Sequence, residues 1–151
     1  RILFGDGTSA SVYRETVVEG AAVDDPAVLF VEFRLRAVRG RGHTAFRAES
    51  LLNTPLFAGF PGFRTKLWLR HDAEGRYRGI YQWNGAQAAE DYARALWWVL
   101  ALVCPPDTIH YRVFPGRYRD DVLNNPGTPT GAAACEDHDA WWLPRPAASA
   151  G

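Results

Sequence analysis

AVLFVEFRLRAV, running from Ala27 to Val38, is the stretch on which the fold turns. Leu29, Val31, Phe33 and Leu35 fall on one side of it, and Phe30, Glu32, Arg34 and Arg36 on the other. Such alternation marks a half-buried strand, because successive side chains of an extended chain point to opposite faces. Gly40-Arg41-Gly42 breaks the run, and Thr44 is placed to cap a helix that continues to Asn53. Pro55 and Pro61 prevent that helix from extending, which leaves an irregular approach to the next strand.

Outward from there the pattern repeats. Phe63 to Arg70 reads as a second strand, with Phe63, Thr65, Leu67 and Leu69 on one face and Arg64, Lys66, Trp68 and Arg70 on the other. The segment from His71 to Gly75 reads as a hairpin loop, and Tyr77 to Trp83 as a third strand ended by Asn84-Gly85. A helix is expected from Ala86 to Val103, with Ala88, Tyr92, Ala95, Leu96, Val99 and Val103 as its core stripe. Glu90 and Arg94 stand four apart on its outer face, in the favourable order. Pro105-Pro106 stops it, and Thr108 to Phe114 is the fourth strand, ended by Pro115-Gly116.

The order β-α-β-β-α-β predicts an α+β domain of the ferredoxin-like kind: a four-stranded antiparallel sheet with both helices on one face. This domain is expected over 26–116, between an N-terminal extension, 1–25, and a C-terminal one, 117–151. The first contains the turn signal Asp6-Gly7 and reads as a small hairpin or strand added to the sheet. The second is rich in Pro, Gly, Ala and Thr, and only Trp141-Trp142-Leu143 is equipped to bury itself against the domain or a partner.

Bulk properties narrow the classes. A length of 151 residues and a hydrophobic fraction of 47% suit one folded domain. Lys+Arg and Asp+Glu both number 17, which argues against a protein devoted to nucleic acid or to an anionic membrane. The apolar run from Ala95 to Val103 is too short to span a bilayer. Cys104 and Cys135 fit no zinc spacing, and a domain of this size does not require a disulfide, so free thiols and a cytoplasmic setting are expected. No signal peptide is read at the start, and because the chain opens without Met, Arg1 is not expected to be the natural start. His43, His71 and His138 form no ligand set, so no metal is expected. Neither a complete dinucleotide fingerprint nor a nucleophile elbow is present, and no cofactor is expected.

The face expected to be left bare by the helices carries Phe30, Glu32, Arg34, Lys66, Trp68, His110, Arg112 and Phe114, with Tyr81 and Trp83 joining it. It is too aromatic to stay wet and too charged for an ordinary core, which points to an interface or a ligand groove. A second copy packed against it would close a barrel.

The stretch from Pro61 to Leu69, with Gly62 and the Lys66-Leu67-Trp68 step, then Gly79-Ile80-Tyr81 and an Ala-rich helix, carries a resemblance. Over Val28 to Phe114 the chain resembles the dimeric α/β-barrel superfamily, and within it the monooxygenase group related to antibiotic-biosynthesis monooxygenases. The resemblance implies a homodimer and a site for a small hydrophobic molecule. Similar barrels include cofactor-free monooxygenases, haem-degrading enzymes, polyketide cyclases, dismutases and plain binding proteins.

Individual residues then take roles. His110 suits a proton shuttle near neutral pH, or a hydrogen-bonded interface histidine. Arg34 and Arg112 suit bidentate binding of an acid or enolate, or pairing with Glu32. Lys66 suits an electrophile or desolvated base, or a lysine that reaches the rim. Trp68, Tyr81 and Trp83 suit stacking of a flat ligand, or interface filling. Tyr81 joins His110 and Lys66 as a catalytic candidate, and Phe30 and Phe114 would line the substrate. The function expected is a small-molecule enzyme on a hydrophobic, aromatic or polyketide-like substrate, either a cofactor-independent oxygenase or a cyclase or isomerase. The rival is a non-catalytic binding or structural module. A haem-handling barrel with His110 as axial ligand ranks third.

Overall fold

The computed structural model describes residues 1–20, 22–35, 60–70, 75–125 and 141–145. Its strands are β1 (Ile2–Phe4), β2 (Ser9–Ala10), β3 (Val12–Val17), β4 (Pro26–Arg34), β5 (Phe63–Leu69), β6 (Arg76–Asn84), β7 (His110–Pro115) and β8 (Pro144–Arg145). Its helices are α1 (Ala86–Leu100) and α2 (Arg119–Asn124). The chain is α+β. One sheet has the order β3-β5-β6-β4-β7, and a smaller one the order β2-β1-β8. Every pairing in both is antiparallel. The helix expected from Thr44 to Asn53 lies outside the described residues, as do Arg36, His43, His71, Cys135 and His138.

The alternation of the first strand is realised. Ala27, Leu29, Val31 and Phe33 enter a core with Phe63, Tyr81, Trp83, Tyr92, Leu96 and Leu100, which α1 closes. The stripe of α1 is rotated from the expected one. Ala89, Tyr92, Ala93, Leu96 and Leu100 are its buried residues, whereas Ala88 and Val103 are only partly buried. Glu90 and Arg94 form the expected exposed ion pair, at 3.7 Å. Cys104 is buried in the same core.

Gly62 fixes the entry to β5. Its φ of +95° is open to glycine at little cost, and a Cβ there would lie 2.6 Å from Asn84 O. The close approach lets Asn84 N donate to Gly62 O at 2.7 Å. Just beyond, a β-bulge falls between Phe63 and Thr65. Phe63 pairs with Trp83, but Thr65 pairs with Gln82 and Lys66 with Tyr81. The extra residue reverses the faces of the rest of the strand. Thr65, Leu67 and Leu69 therefore turn away from α1, and Lys66 and Trp68 turn toward the side of Tyr81. This reverses the expectation for all five. Tyr81 and Trp83, expected on the bare face, are likewise in the α1 core.

The second sheet face is not bare. Val28, Phe30, Leu67, Leu69 and Ile80 form a second core with Phe4, Ala10, Val122 and Trp142. The covering residues come from the two ends of the chain. Asp6-Gly7 makes the expected turn, with Thr8 N donating to Asp6 Oδ1 at 2.9 Å, and the hairpin builds the small sheet while β3 extends the large one. From the other end, β8 pairs with β1, and Gly5 N donates to Leu143 O at 2.7 Å. Gln82 holds α2 in place by accepting from Arg119 N at 2.6 Å. The surface expected to meet a second copy is thus occupied by the chain itself. Trp97 packs on the α1 core and meets Trp98 edge-on at 5.3 Å, far from Trp141 and Trp142 across the sheet.

Candidate functional site

The structure divides the expected site residues between the two faces of the sheet. Lys66, Trp68, Tyr81 and Trp83 gather on the α1 side. Glu32, Arg34, His110, Arg112, Phe30 and Phe114 stand on the other. No single small molecule touches both sets, so His110 cannot share a substrate with Lys66 and Tyr81.

The bulge puts Lys66 into an aromatic box. Its Nζ lies 3.1 Å from the centroid of the Trp68 ring and 4.8 Å from that of Tyr81. Trp68 is anchored from the edge strand, its Nε1 donating to Thr16 Oγ1 at 2.9 Å. Tyr81 and Tyr92 are hydrogen-bonded to each other, with ring centroids 5.4 Å apart. Trp83 tilts against Tyr92 at 4.9 Å and meets Phe63 edge-on at 5.6 Å. The Trp83 indole N–H is buried and finds no acceptor among the described residues.

This burial governs the acid–base state. Lys66 is 3% exposed. Desolvation, reinforced by the charge of Arg14, holds its ammonium well below the usual lysine range. The amine gives up its proton more readily than a solvated lysine, and the deprotonated amine is a base and a nucleophile. Burial moves the phenols in the opposite sense, above the usual tyrosine range for both Tyr81 and Tyr92, so they remain hydrogen-bond donors. A suppressed base beside protonated donors is the arrangement proton-transfer sites use.

The sequence marks Tyr92 only as part of the α1 core stripe, and nothing in its spacing signals that it also meets Tyr81. A signal for Lys66 was present: it is the single lysine among the 17 Lys+Arg of the chain. A chain that otherwise uses arginine throughout places its one primary side-chain amine between apolar neighbours.

The amine leaves a stability signature. With its folded pKa depressed, the unfolded chain binds a proton that the folded chain does not, so stability rises with pH up to the free lysine range near about 10.4. Lys66→Met is expected to remove this dependence. Denaturant titrations should show the variant's advantage largest toward acid pH and vanishing near that range.

On the other face, Glu32 is buried and takes Arg78 Nε at 2.8 Å and Nη2 at 2.7 Å. Arg78 Nη2 also reaches Asp6 Oδ2 at 3.3 Å and donates to Thr8 Oγ1 at 2.8 Å. Desolvation lifts the Glu32 carboxyl above its ordinary range, with Arg78 and Arg76 opposing it. Glu32 is thus committed to Arg78, rather than to the alternative pairing with Arg34 and Arg112. Arg112 lies over the Trp142 ring at 4.2 Å, and Phe114 meets that ring at 5.1 Å and Phe30 at 5.7 Å, so these three hold the tail. His110 is exposed, 6.0 Å from the Trp141 ring.

No protein-family model matches the chain, and no curated protein matches it. Among solved structures it is similar to one described as the structure of a major regulator of staphylococcal pathogenesis. The two are 18% identical with a TM-score of 0.42, over 69% of this chain and 65% of that one. A likeness of that size leaves fold and function to the geometry of the chain itself. No helix among the described residues is long and apolar enough to cross a membrane.

Proposed function

We propose that the chain is a small-molecule enzyme whose reaction site is the aromatic box around Lys66. The substrate is hydrophobic and flat, an aromatic or polyketide-like phenol or carbon acid. The observation that carries this reading is the juxtaposition of a desolvated amine with Trp68 and Tyr81, backed in turn by Tyr92 and by a Trp83 N–H with no acceptor among the described residues. The neutral Lys66 amine takes the substrate proton, and the electron pair stays on the substrate as a phenolate or enolate. The Trp68 ring face steadies the new ammonium, and the indole N–H and the phenols donate to the developing oxyanion. The anion so formed is electron-rich enough to react with dioxygen, or to cyclise or isomerise without redox change.

The strand order β5-β6-β4-β7 supports the ferredoxin-like arrangement that goes with this reading, and with it the likeness to the dimeric α/β-barrel superfamily. A homodimer belongs to the proposal only through a surface other than the second sheet face, and light scattering measures it. A binding module without catalysis is the second reading, favoured by the mostly aromatic walls of the box.

The test is turnover of a panel of hydroxylated polycyclic aromatics, followed by product analysis and oxygen uptake. Lys66→Met is expected to lower the rate by about 10²-fold or more, the range of a general base, with binding retained. Turnover undiminished in that variant refutes the assignment, and binding without turnover in the native chain selects the second reading.

A further inference from the structure

We propose that the cavity on the opposite sheet face binds a neutral sugar ring, whose C–H face lies on Trp141 and whose hydroxyls are met by Asp107 and His110. The cavity measures about 310 Å3, at the lower end of the range of roughly 300–1,000 Å3 for small-molecule sites, so it suits a single ring. It lies across the sheet from Lys66 and is independent of the reaction proposed there.

The chemistry of the lining selects the ligand class. Most small-molecule sites are lined by apolar side chains with a few polar ones among them. Here Trp141 is the aromatic wall, and the rest is polar: Glu32, Asp107, Arg34, Arg76, Thr108 and His110. An apolar ligand would strip water from those groups and return no hydrogen bonds. The two carboxylates and the two guanidiniums cancel in formal charge, so the lining as a whole favours neither an anion nor a cation. A hydroxyl donates and accepts at once, and it requires no unanswered charge. A carboxylate has about four acceptor positions and a guanidinium five N–H donors, so groups already engaged elsewhere still serve it.

Two groups stand ready for such a ligand. Asp107 and His110 are exposed, and neither makes a hydrogen bond or ion pair among the described residues. Asp107 offers its carboxylate oxygens to neighbouring hydroxyls, and the neutral His110 imidazole offers a donor and an acceptor. Asp107 belongs to the short turn Pro106–Thr108, which Thr108 Oγ1 ties by donating to Pro105 O at 2.7 Å. Trp141 is half-buried against the second core, and its ring is tilted by 44° to that of His110 with the centroids 6.0 Å apart. A flat apolar face beside hydroxyl partners matches a pyranose, which is apolar on its C–H face and polar at its rim. Glu32, directly opposite His110 on β4, is the buried part of the lining.

Glucose, galactose and mannose and their methyl glycosides are the probes, titrated into the full chain and read from the Trp141 indole and His110 ring resonances, with Trp141→Phe and His110→Gln used for assignment. The expected result is millimolar binding of at least one sugar, weakened about tenfold or more in Asp107→Ala. The Asp107 side chain is exposed and makes no hydrogen bond or ion pair among the described residues, so that variant is expected to keep the native melting temperature. Should it fail to fold, His110→Ala carries the same reading. Methyl glycosides that bind as well as the free sugars assign the end unit of a longer glycan, and loss of affinity on methylation assigns a free sugar. Silence of both resonances with every sugar, affinity that survives the loss of Asp107, or a stronger response to inorganic phosphate than to any sugar overturns the proposal.

Discussion

Arg78→Met is expected to destabilise the fold by about 3–5 kcal/mol, the range for removing one partner of a buried ion pair. The side chain is interior. Its loss strips Glu32 of the partner at 2.7 Å and leaves Asp6 with Arg76 alone of its two arginines. Glu32 is nearly as buried, so little solvent replaces the lost partner. Arg78 also lies over the Phe4 ring at 4.4 Å, so it joins the N-terminal hairpin to β6 by packing as well as by charge. For a chain of this length, roughly 2–4 °C of melting temperature goes with each kcal/mol, so a fall of about 10 °C is the expected order. The pH dependence has a defined sign. A carboxyl whose folded pKa is raised loses stability as pH rises through that pKa, and removing Arg78 raises it further. The deficit of the variant should therefore shrink toward acid pH. Glu32→Met in the same chain should recover much of the loss, because the isolated carboxylate is the larger part of the cost. A deficit independent of pH, with no recovery in the double variant, would count against this assignment.

Trp142→Ala is expected to cost about 3 kcal/mol, at the lower end for a buried tryptophan because its segment is attached at an edge. Its ring closes over Phe114 at 5.1 Å and under Arg112 at 4.2 Å. Among the described residues the segment is otherwise tied to the small sheet by two backbone pairings, a bond from Gly5 N to Leu143 O and one from the Arg145 guanidinium to Gly5 O. Loss of the ring should release it and expose Phe30 and Phe114. Amide exchange in β1 and β7 should quicken while the β4–β6 centre remains protected, and binding of a hydrophobic dye should rise. Unchanged exchange in β1 would mean that the tail is not what closes this face.

Much of the fold was legible in the sequence, for reasons visible in particular elements. β4 was legible because Glu32 and Arg34 mark its second face at one end, although Val28 and Phe30 on that face are buried as well. The end of α1 and the turn at Asp6-Gly7 were marked by proline and glycine, which restrict or permit backbone angles irrespective of tertiary context. β5 defeated the reading because both of its faces are buried. With Phe63, Leu67, Trp68 and Leu69 in one strand, apolarity does not tell inside from outside, and the bulge after Phe63 carries no local signature.

That slip divided the expected site. Lys66 and Trp68 were assigned to the company of His110 and Arg112, and they stand across the sheet from both. The cover on the second face was half legible. Trp141-Trp142-Leu143 announced a segment able to dock, but a two-residue strand such as β8 lies below the resolution of any periodicity. Arg78 and Asp6 were overlooked because an ion pair between residues 72 apart leaves no pattern along the chain.

The measurement that tests the central claim most directly is the titration of the ε-methylene resonance of Lys66, which is unambiguous because the chain has no other lysine. The expected transition lies well below the free lysine value of about 10.4 and is displaced when a hydroxylated aromatic ligand binds. A transition at the ordinary lysine value, indifferent to such ligands, would mean that the amine is solvated and charged, and would contradict the account.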